Sequence, residues 1–389
     1  MSQANPRRRL VTGGKVVTTD AVLDHGWIVL EADQVGAVGD GPPPAGDYDE
    51  ITELAGGYVL PGFIDLHVHG GAGAGFDDGA RAIATGLAAH RAHGTTRSLL
   101  SLISNPVDRE RRAIVDAADY AATDPSVLGL HLEGPFLSEA RKGAHDPSVL
   151  IDPDPGVLED FLAAGAGTIK VVTLAPERSG GLAAIEYLVA QGVHAAVGHS
   201  DAGYDQARAA FDAGADLVTH AFNGMRPLHH RDPAIIGAAM DSPHVVLEAI
   251  NDGVHLHPAT VRLLRSIAPG RLALITDAMS ATCAGDGRYK LGAFDVDVRD
   301  GVARLAGQDA IAGSTLTMDV AVQRAVQVVG IPVLDAVAAA SLTPARLLGV
   351  ADRFGAIADG RAADLVFTDD DFAVRAVLAG GAWVDDRRP

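Results

Sequence analysis

GFIDLHVHGG, residues 62–71, carries an apolar segment that begins at Tyr58 into two histidines separated by one valine. In a strand, alternate side chains share a face, so His67 and His69 point one way and Val68 the other. Two imidazoles side by side can chelate a metal ion. They can equally be two unrelated polar residues at a strand end. The choice rests on whether other ligands occur at equivalent positions further along.

From Gly62 onward, short apolar runs alternate with alanine-rich helical stretches, the rhythm of parallel βα units. Eight candidate strands follow one another: VLPGFIDLHVH, TTRSLLSLI, VLGLHLEG, TIKVVTLAPE, VHAAVGHS, DLVTHAF, HVVLEAIND and RLALITDA. Several of the intervening helical stretches end in Gly, as a helix C-terminus favours. The pattern predicts an α/β chain folded as a (β/α)8 TIM-type barrel, with its active site at the C-terminal strand ends. After the eighth strand, RYKLGAFDVDVRDGVARLAG alternates like a hairpin, and helices run from about Ser314 to Leu348. The first sixty residues and the last forty read as short β segments broken by Gly, Asp and GPPPAGD. The expected organisation is a small β-sandwich domain built from both termini (1–58 and 346–389) around a catalytic barrel (59–345).

The bulk properties exclude several roles. A net charge of −19 argues against nucleic acid or an anionic membrane as partner, and requires a local basic cluster for any anionic substrate. One cysteine, Cys283, rules out an intramolecular disulfide and fits a reducing compartment. No apolar run approaches a membrane span. MSQANPRRRL lacks an apolar h-region and reads as a short disordered tip, so a cytoplasmic enzyme is expected.

Polar residues fall where a barrel places its chemistry: His67 and His69 after strand one, Glu133 in HLEGP after strand three, His199 in GHS after strand five. His220 in THAF follows strand six and Asp277 in ITDA follows strand eight. Each alone has a plain explanation, a satisfied core histidine or a helix N-cap carboxylate. Six at one rim of one barrel answer the opening question in favour of a metal site. Imidazole with carboxylate suits zinc, iron or a similar divalent ion. Asp277, at the last strand, is placed to take a proton from water and return it to a leaving group.

This arrangement resembles the amidohydrolase superfamily. Within it, PGFIDLHVHG, HLEGPFLSEARKGAH, VTLAPE, GHSDA, THAFNGMRPLHHRDP, NDGVHLHP, ITDAM and AGSTLTMD resemble the N-acetylglucosamine-6-phosphate deacetylase family, over nearly the whole chain. The resemblance implies Glu133, His199 and His220 as principal metal ligands and Asp277 as general base and acid. It implies His255 as the group polarising the acetamide carbonyl and His145 as a sugar contact. Asn223 and Arg231 lie in its phosphate segment, and Ala312, heading AGSTLTMD, is a further substrate-binding position. Some members lack the HxH pair and hold one metal, whereas others keep it and hold two. Both histidines are present here, so the resemblance implies one or two ions per subunit with Glu133 as the bridge. Zinc is the leading choice, with iron, manganese and cobalt as alternatives. The usual bridging lysine has no counterpart, because Lys170 falls early in strand four. The implied activity is release of acetate from the sugar phosphate by a cytoplasmic homodimer, in amino-sugar catabolism and cell-wall sugar recycling. A galactosamine epimer as substrate, another amidohydrolase activity or a silent sugar-phosphate sensor are the rivals.

RPLHHRDP supplies the local positive charge, with Arg226, His229, His230 and Arg231 within six positions. Arginine pairs bidentately with phosphate oxygens. The loop has two readings, service to its own site or to a neighbouring subunit's. Cys283 reads as a small buried residue. GGAGAG (70–75) lacks a phosphate-loop continuation and reads as a tight rim loop giving substrate close backbone approach. His90, His93, His194 and His244 are read as structural or surface residues.

Overall fold

The computed structural model describes residues 7–389. The expectation of a disordered tip lies outside the described residues for 1–6, but Arg8, Arg9 and Leu10 are already part of a strand, Arg8–Val17.

Eight parallel strands are hydrogen-bonded in chain order. They are β1 (Phe63–Asp65), β2 (Thr95–Ile103), β3 (Val127–Glu133), β4 (Ile169–Leu174), β5 (His194–Val197), β6 (Leu217–Val218), β7 (Val246–Ile250) and β8 (Leu272–Ile275). Between them run α1 (Ala80–Ala92), α2 (Val107–Ala121), α3 (Pro155–Ala164), α4 (Gly181–Ala190), α5 (Tyr204–Asp212), α6 (Ala234–Met240) and α7 (Pro258–Ile267). β2 is buried along its whole length, as a strand packed on both faces must be. α2 buries Ala113, Ile114, Ala117 and Ala118 on one side and carries Asp108 in its first turn, where the helix dipole favours negative charge. α3 starts on Pro155, and the Asp154 side chain accepts from the backbone N–H groups of Gly156 and Val157.

β8 closes on β1 through a parallel bridge between Val68 and Ala278 and an N–H of Asp277 donated to the His67 carbonyl at 2.8 Å. Beneath that seam Thr276 donates its hydroxyl to the buried Asp65 carboxylate at 2.5 Å. Burial raises Asp65 to about 7 despite the hydrogen bonds it receives.

The opening apolar run is two strands and not one. Tyr58–Pro61 pairs with Leu365–Thr368 in the sheet of the termini, and the chain enters the barrel sheet only after Gly62. The termini build one mixed sheet of eight strands, including Arg8–Val17, Val22–Glu31, Gln34–Asp40 and Val374–Ala379. Register irregularities near Gly14 bend Arg8–Val17, so that one half pairs with Glu50–Glu53 and the other with Tyr58 and Val59. Val16, Ile28, Leu30, Leu365, Phe367 and Leu378 share its apolar core. Two compact units result: residues 65–89 with 98–317, and residues up to 64 with 90–97 and 318–389.

Two further readings need correction. The segment after β8 is a three-stranded antiparallel sheet (Gly287–Leu291, Phe294–Arg299, Val302–Leu305), one strand more than a hairpin. Cys283 is exposed, because Ala281 and Thr282 take the buried positions of this turn and leave Cys283 beyond them, at a φ of 61°.

Candidate metal centre and active-site cavity

β5, β6 and β8 all end in the same unusual way. His199, His220 and Asp277 have φ of 45°, 28° and 49°, left-handed backbone at non-glycine residues. Such conformations cost on the order of 1 kcal/mol or more each and persist where the surroundings over-determine them. Here they accompany the convergence of the three side chains on one point.

That point lies around Glu133, at the end of β3. Its Oε1 lies 3.1 Å from His199 Nε2 and 3.0 Å from His220 Nε2, and its Oε2 lies 3.1 Å from His69 Nε2. The paired Nε2 atoms are close too, 3.1 Å between His67 and His69 and 3.0 Å between His199 and His220. Asp277 Oδ1 stands 3.5 Å from His67 Nε2 and 3.4 Å from His69 Nε2. All six side chains are buried. The six residues singled out at the strand ends therefore meet, with Glu133 between the two histidine pairs.

The chemistry of this donor set fits a divalent cation. Each Nδ1 has an acceptor of its own: Ser101 O for His69, Arg141 O for His199, Asn223 O for His220 and Glu248 Oε2 for His67. Those partners assign the Nδ1–H tautomer and leave four Nε2 lone pairs facing one another and two carboxylates. Lone pairs packed this closely repel unless a cation lies among them. Separations of about 3 Å between ligand atoms are what metal bonds about 2.1 Å long produce. The electrostatics agree. Burial works against an imidazolium at His67, yet the Glu133 and Asp277 carboxylates hold it well above its ordinary value. His69 is raised to about 9 against burial, through its bonds to Asp277 and Glu133. Burial would raise Glu133, but the surrounding imidazoles hold it well below the carboxylate range. A buried cluster that draws positive charge onto itself is a cation site. Lys170 plays no part: it donates to Gly167 O at 3.0 Å, away from the cluster.

A cavity of about 160 Å³ opens over this cluster. His145 and His255 reach its lining beside His69, Glu133 and Asp277, and Asn223 and Gly224 form another part of the wall. His145 Nδ1 is paired with Ser104 Oγ at 2.9 Å, and burial together with His199 lowers it to about 4, so it is neutral. His255 differs. Burial lowers it, but Asp252, whose Oδ2 is 2.7 Å from Nδ1, prevails and raises it above its ordinary value. Burial likewise raises Asp277, and the neighbouring His67 and His69 overcome it, keeping the carboxyl ionised.

Not every candidate lines the cavity. Arg231 is exposed, with its guanidinium 2.7 Å from His230 Nε2. Arg226 is tied to Asp232 at 2.7 Å and to Asp201. Ala312 is buried, whereas its neighbours Ile311 and Gly313 reach the wall. The glycines of 70–75 form a small hairpin anchored on the turn after β8, through Ala72 N to Thr282 O and Gly73 N to Ser280 O, and contribute nothing to the lining.

The amidohydrolase family model matches residues 58–384. The chain belongs to the amidohydrolase family. A solved protein from Mycobacterium smegmatis is 45% identical, with a TM-score of 0.93 over 97% of this chain and 99% of its own. It is an alanine variant of N-acetyl-D-glucosamine-6-phosphate deacetylase in complex with N-acetyl-D-glucosamine 6-phosphate. An N-acetylgalactosamine-6-phosphate deacetylase from Escherichia coli O157:H7 is 39% identical over 85% of this chain and 89% of its own. An N-acetylglucosamine-6-phosphate deacetylase from Vibrio furnissii is 37% identical over 84% and 83% respectively. No helix among the described residues of this amidohydrolase is long and apolar enough to cross a membrane.

Sequence reasoning passed over Glu248 on β7 and His131 on β3. His131 is a buried core histidine, held by Ser101 Oγ at 3.0 Å and Thr173 Oγ1 at 2.8 Å, and burial keeps it neutral. The signal for Glu248 was available: a lone acid in the middle of the apolar strand VVLEAI.

Proposed function

We propose that this chain hydrolyses the acetamide of N-acetyl-D-glucosamine 6-phosphate, consuming water and releasing acetate and D-glucosamine 6-phosphate. One observation carries the reading: Asp277 and His255 face the same cavity as the convergent imidazole–carboxylate cluster. The 45% identical relative bound to that sugar phosphate supports the choice of substrate. Glu133, His199 and His220, with His67 and His69, would hold one or two ions, zinc being best matched to nitrogen and oxygen donors. Bound there, a divalent ion supplies Lewis acidity and makes water a stronger acid.

The protein groups perform the rest. Ionised Asp277 accepts a proton from the attacking water and passes it to the amine nitrogen as the C–N bond breaks. His255 has its Nδ1 on Asp252, so Nε2 is the donor it offers to the carbonyl oxygen as negative charge develops. Because neutral His255 would keep its proton at Nδ1, donation from Nε2 calls for the imidazolium, which Asp252 favours. His145 and Asn223 are assigned to the sugar. Arg231, exposed and outside the cavity lining, is assigned to the 6-phosphate and serves the second copy in a homodimer.

The galactosamine epimer is the second reading, because a relative 39% identical carries that name. Amine release from the two epimeric 6-phosphates and from unphosphorylated N-acetylglucosamine, in parallel, tests the proposal. Preferred turnover of the gluco 6-phosphate supports it. Preferred turnover of the galacto epimer installs the second reading, and no release from any of the three rejects both.

A further inference from the structure

His67 differs from the other three histidines of the cluster in what holds it. His69, His199 and His220 give their Nδ1 protons to backbone carbonyls, whereas His67 Nδ1 lies 3.2 Å from a carboxylate oxygen, Oε2 of Glu248. Glu248 is central in β7 and 1% exposed. The same Oε2 accepts the backbone N–H of His220 at 3.1 Å, and Oε1 has no hydrogen-bond partner among the described residues. A carboxylate buried with one oxygen unpaired is costly, and an apolar residue would serve the packing of this strand better. Its presence there needs a reason, and its two bonds supply one. They join a side chain of one histidine pair to the backbone of the other.

We propose that Glu248 is the positioning residue for an ion held by His67. Its charge fixes the Nδ1–H tautomer and the ring orientation, strengthens the Nε2 lone pair, and ties the His67–His69 arm to the His199–His220 arm. This rests on the two-ion form of the function proposed above. A carboxylate behind a ligating histidine typically changes metal affinity about 10- to 100-fold.

The test uses purified full-length protein stripped and reloaded with zinc, with ion count and affinities read by competition against a chromophoric chelator. Wild type, Glu248→Gln, His67→Asn and the double variant are compared, the glutamine keeping shape while removing charge. Wild type should hold two ions. Glu248→Gln should keep one with affinity within about threefold of wild type and weaken the other about 10- to 100-fold. His67→Asn should weaken the same ion, and the double variant should be no worse than His67→Asn alone. Glu248→Gln with both ions unchanged, equal weakening of both ions, or additive losses in the double variant would each overturn the proposal. So would a wild type whose ion count is unaffected by His67→Asn. The chemistry is judged separately, by amine release from wild type: its failure beside the expected pattern of affinities would reject the deacetylase and leave Glu248 in its role.

Discussion

The floor of the cavity and the basic segment after β6 are both polar, and they are built in opposite ways. At the floor and just behind it, Glu133, Asp277 and four histidines are buried, and every Nδ1 of the four is fixed by a partner. In the segment from Arg226 to Arg231, His229, His230 and Arg231 are exposed, and Arg226 is occupied by two aspartates. Buried donors with fixed orientations can act on charge that develops in a reaction, because little reorganisation is left to do. Exposed, screened charges contribute attraction and register. Under the proposed function, the contrast goes with chemistry at the buried cluster and recognition at the segment.

Removing the proton carrier should have the largest effect. Asp277→Asn is expected to lower kcat about 100- to 10,000-fold with KM little changed. Steady-state amine release measures both, and turnover near wild type would take Asp277 out of the mechanism. Arg231→Ala should show the opposite split: KM for the phosphorylated sugar rises about tenfold, as for loss of one charge-assisted phosphate contact, and kcat is nearly unchanged. A fall in kcat as large as the rise in KM would erase the distinction between floor and segment. Asp252→Asn is expected to be the mildest and to act on pH dependence. Asp252 raises His255, so its removal lowers that pKa, and the alkaline limb of kcat/KM moves to lower pH. An alkaline limb that stays in place would show that His255 does not act as the imidazolium.

The same contrast explains what the sequence reveals. His67, His69, Glu133, His199, His220 and Asp277 interrupt apolar runs at strand ends, so period and position expose them. Glu248 interrupts a run in its middle, and only the packed barrel shows that it reaches the Nδ1 of His67 and the backbone of His220. The change of sheet at Gly62 is hidden for a related reason. Tyr58 to Leu66 is almost uniformly apolar, and which sheet each half joins is decided by the distant partner Leu365–Thr368. Cys283 misled because small size predicts burial on average, while the turn it occupies places it outside.

In the proposed function, the four facing Nε2 atoms and Glu133 hold one or two divalent ions on which amide hydrolysis depends. Stripping the protein with a chelator, counting residual ions, following amine release from N-acetylglucosamine 6-phosphate and then restoring zinc tests it most directly. Activity should disappear with the metal and return in step with the ions bound. Full turnover by protein shown to be metal-free would contradict it.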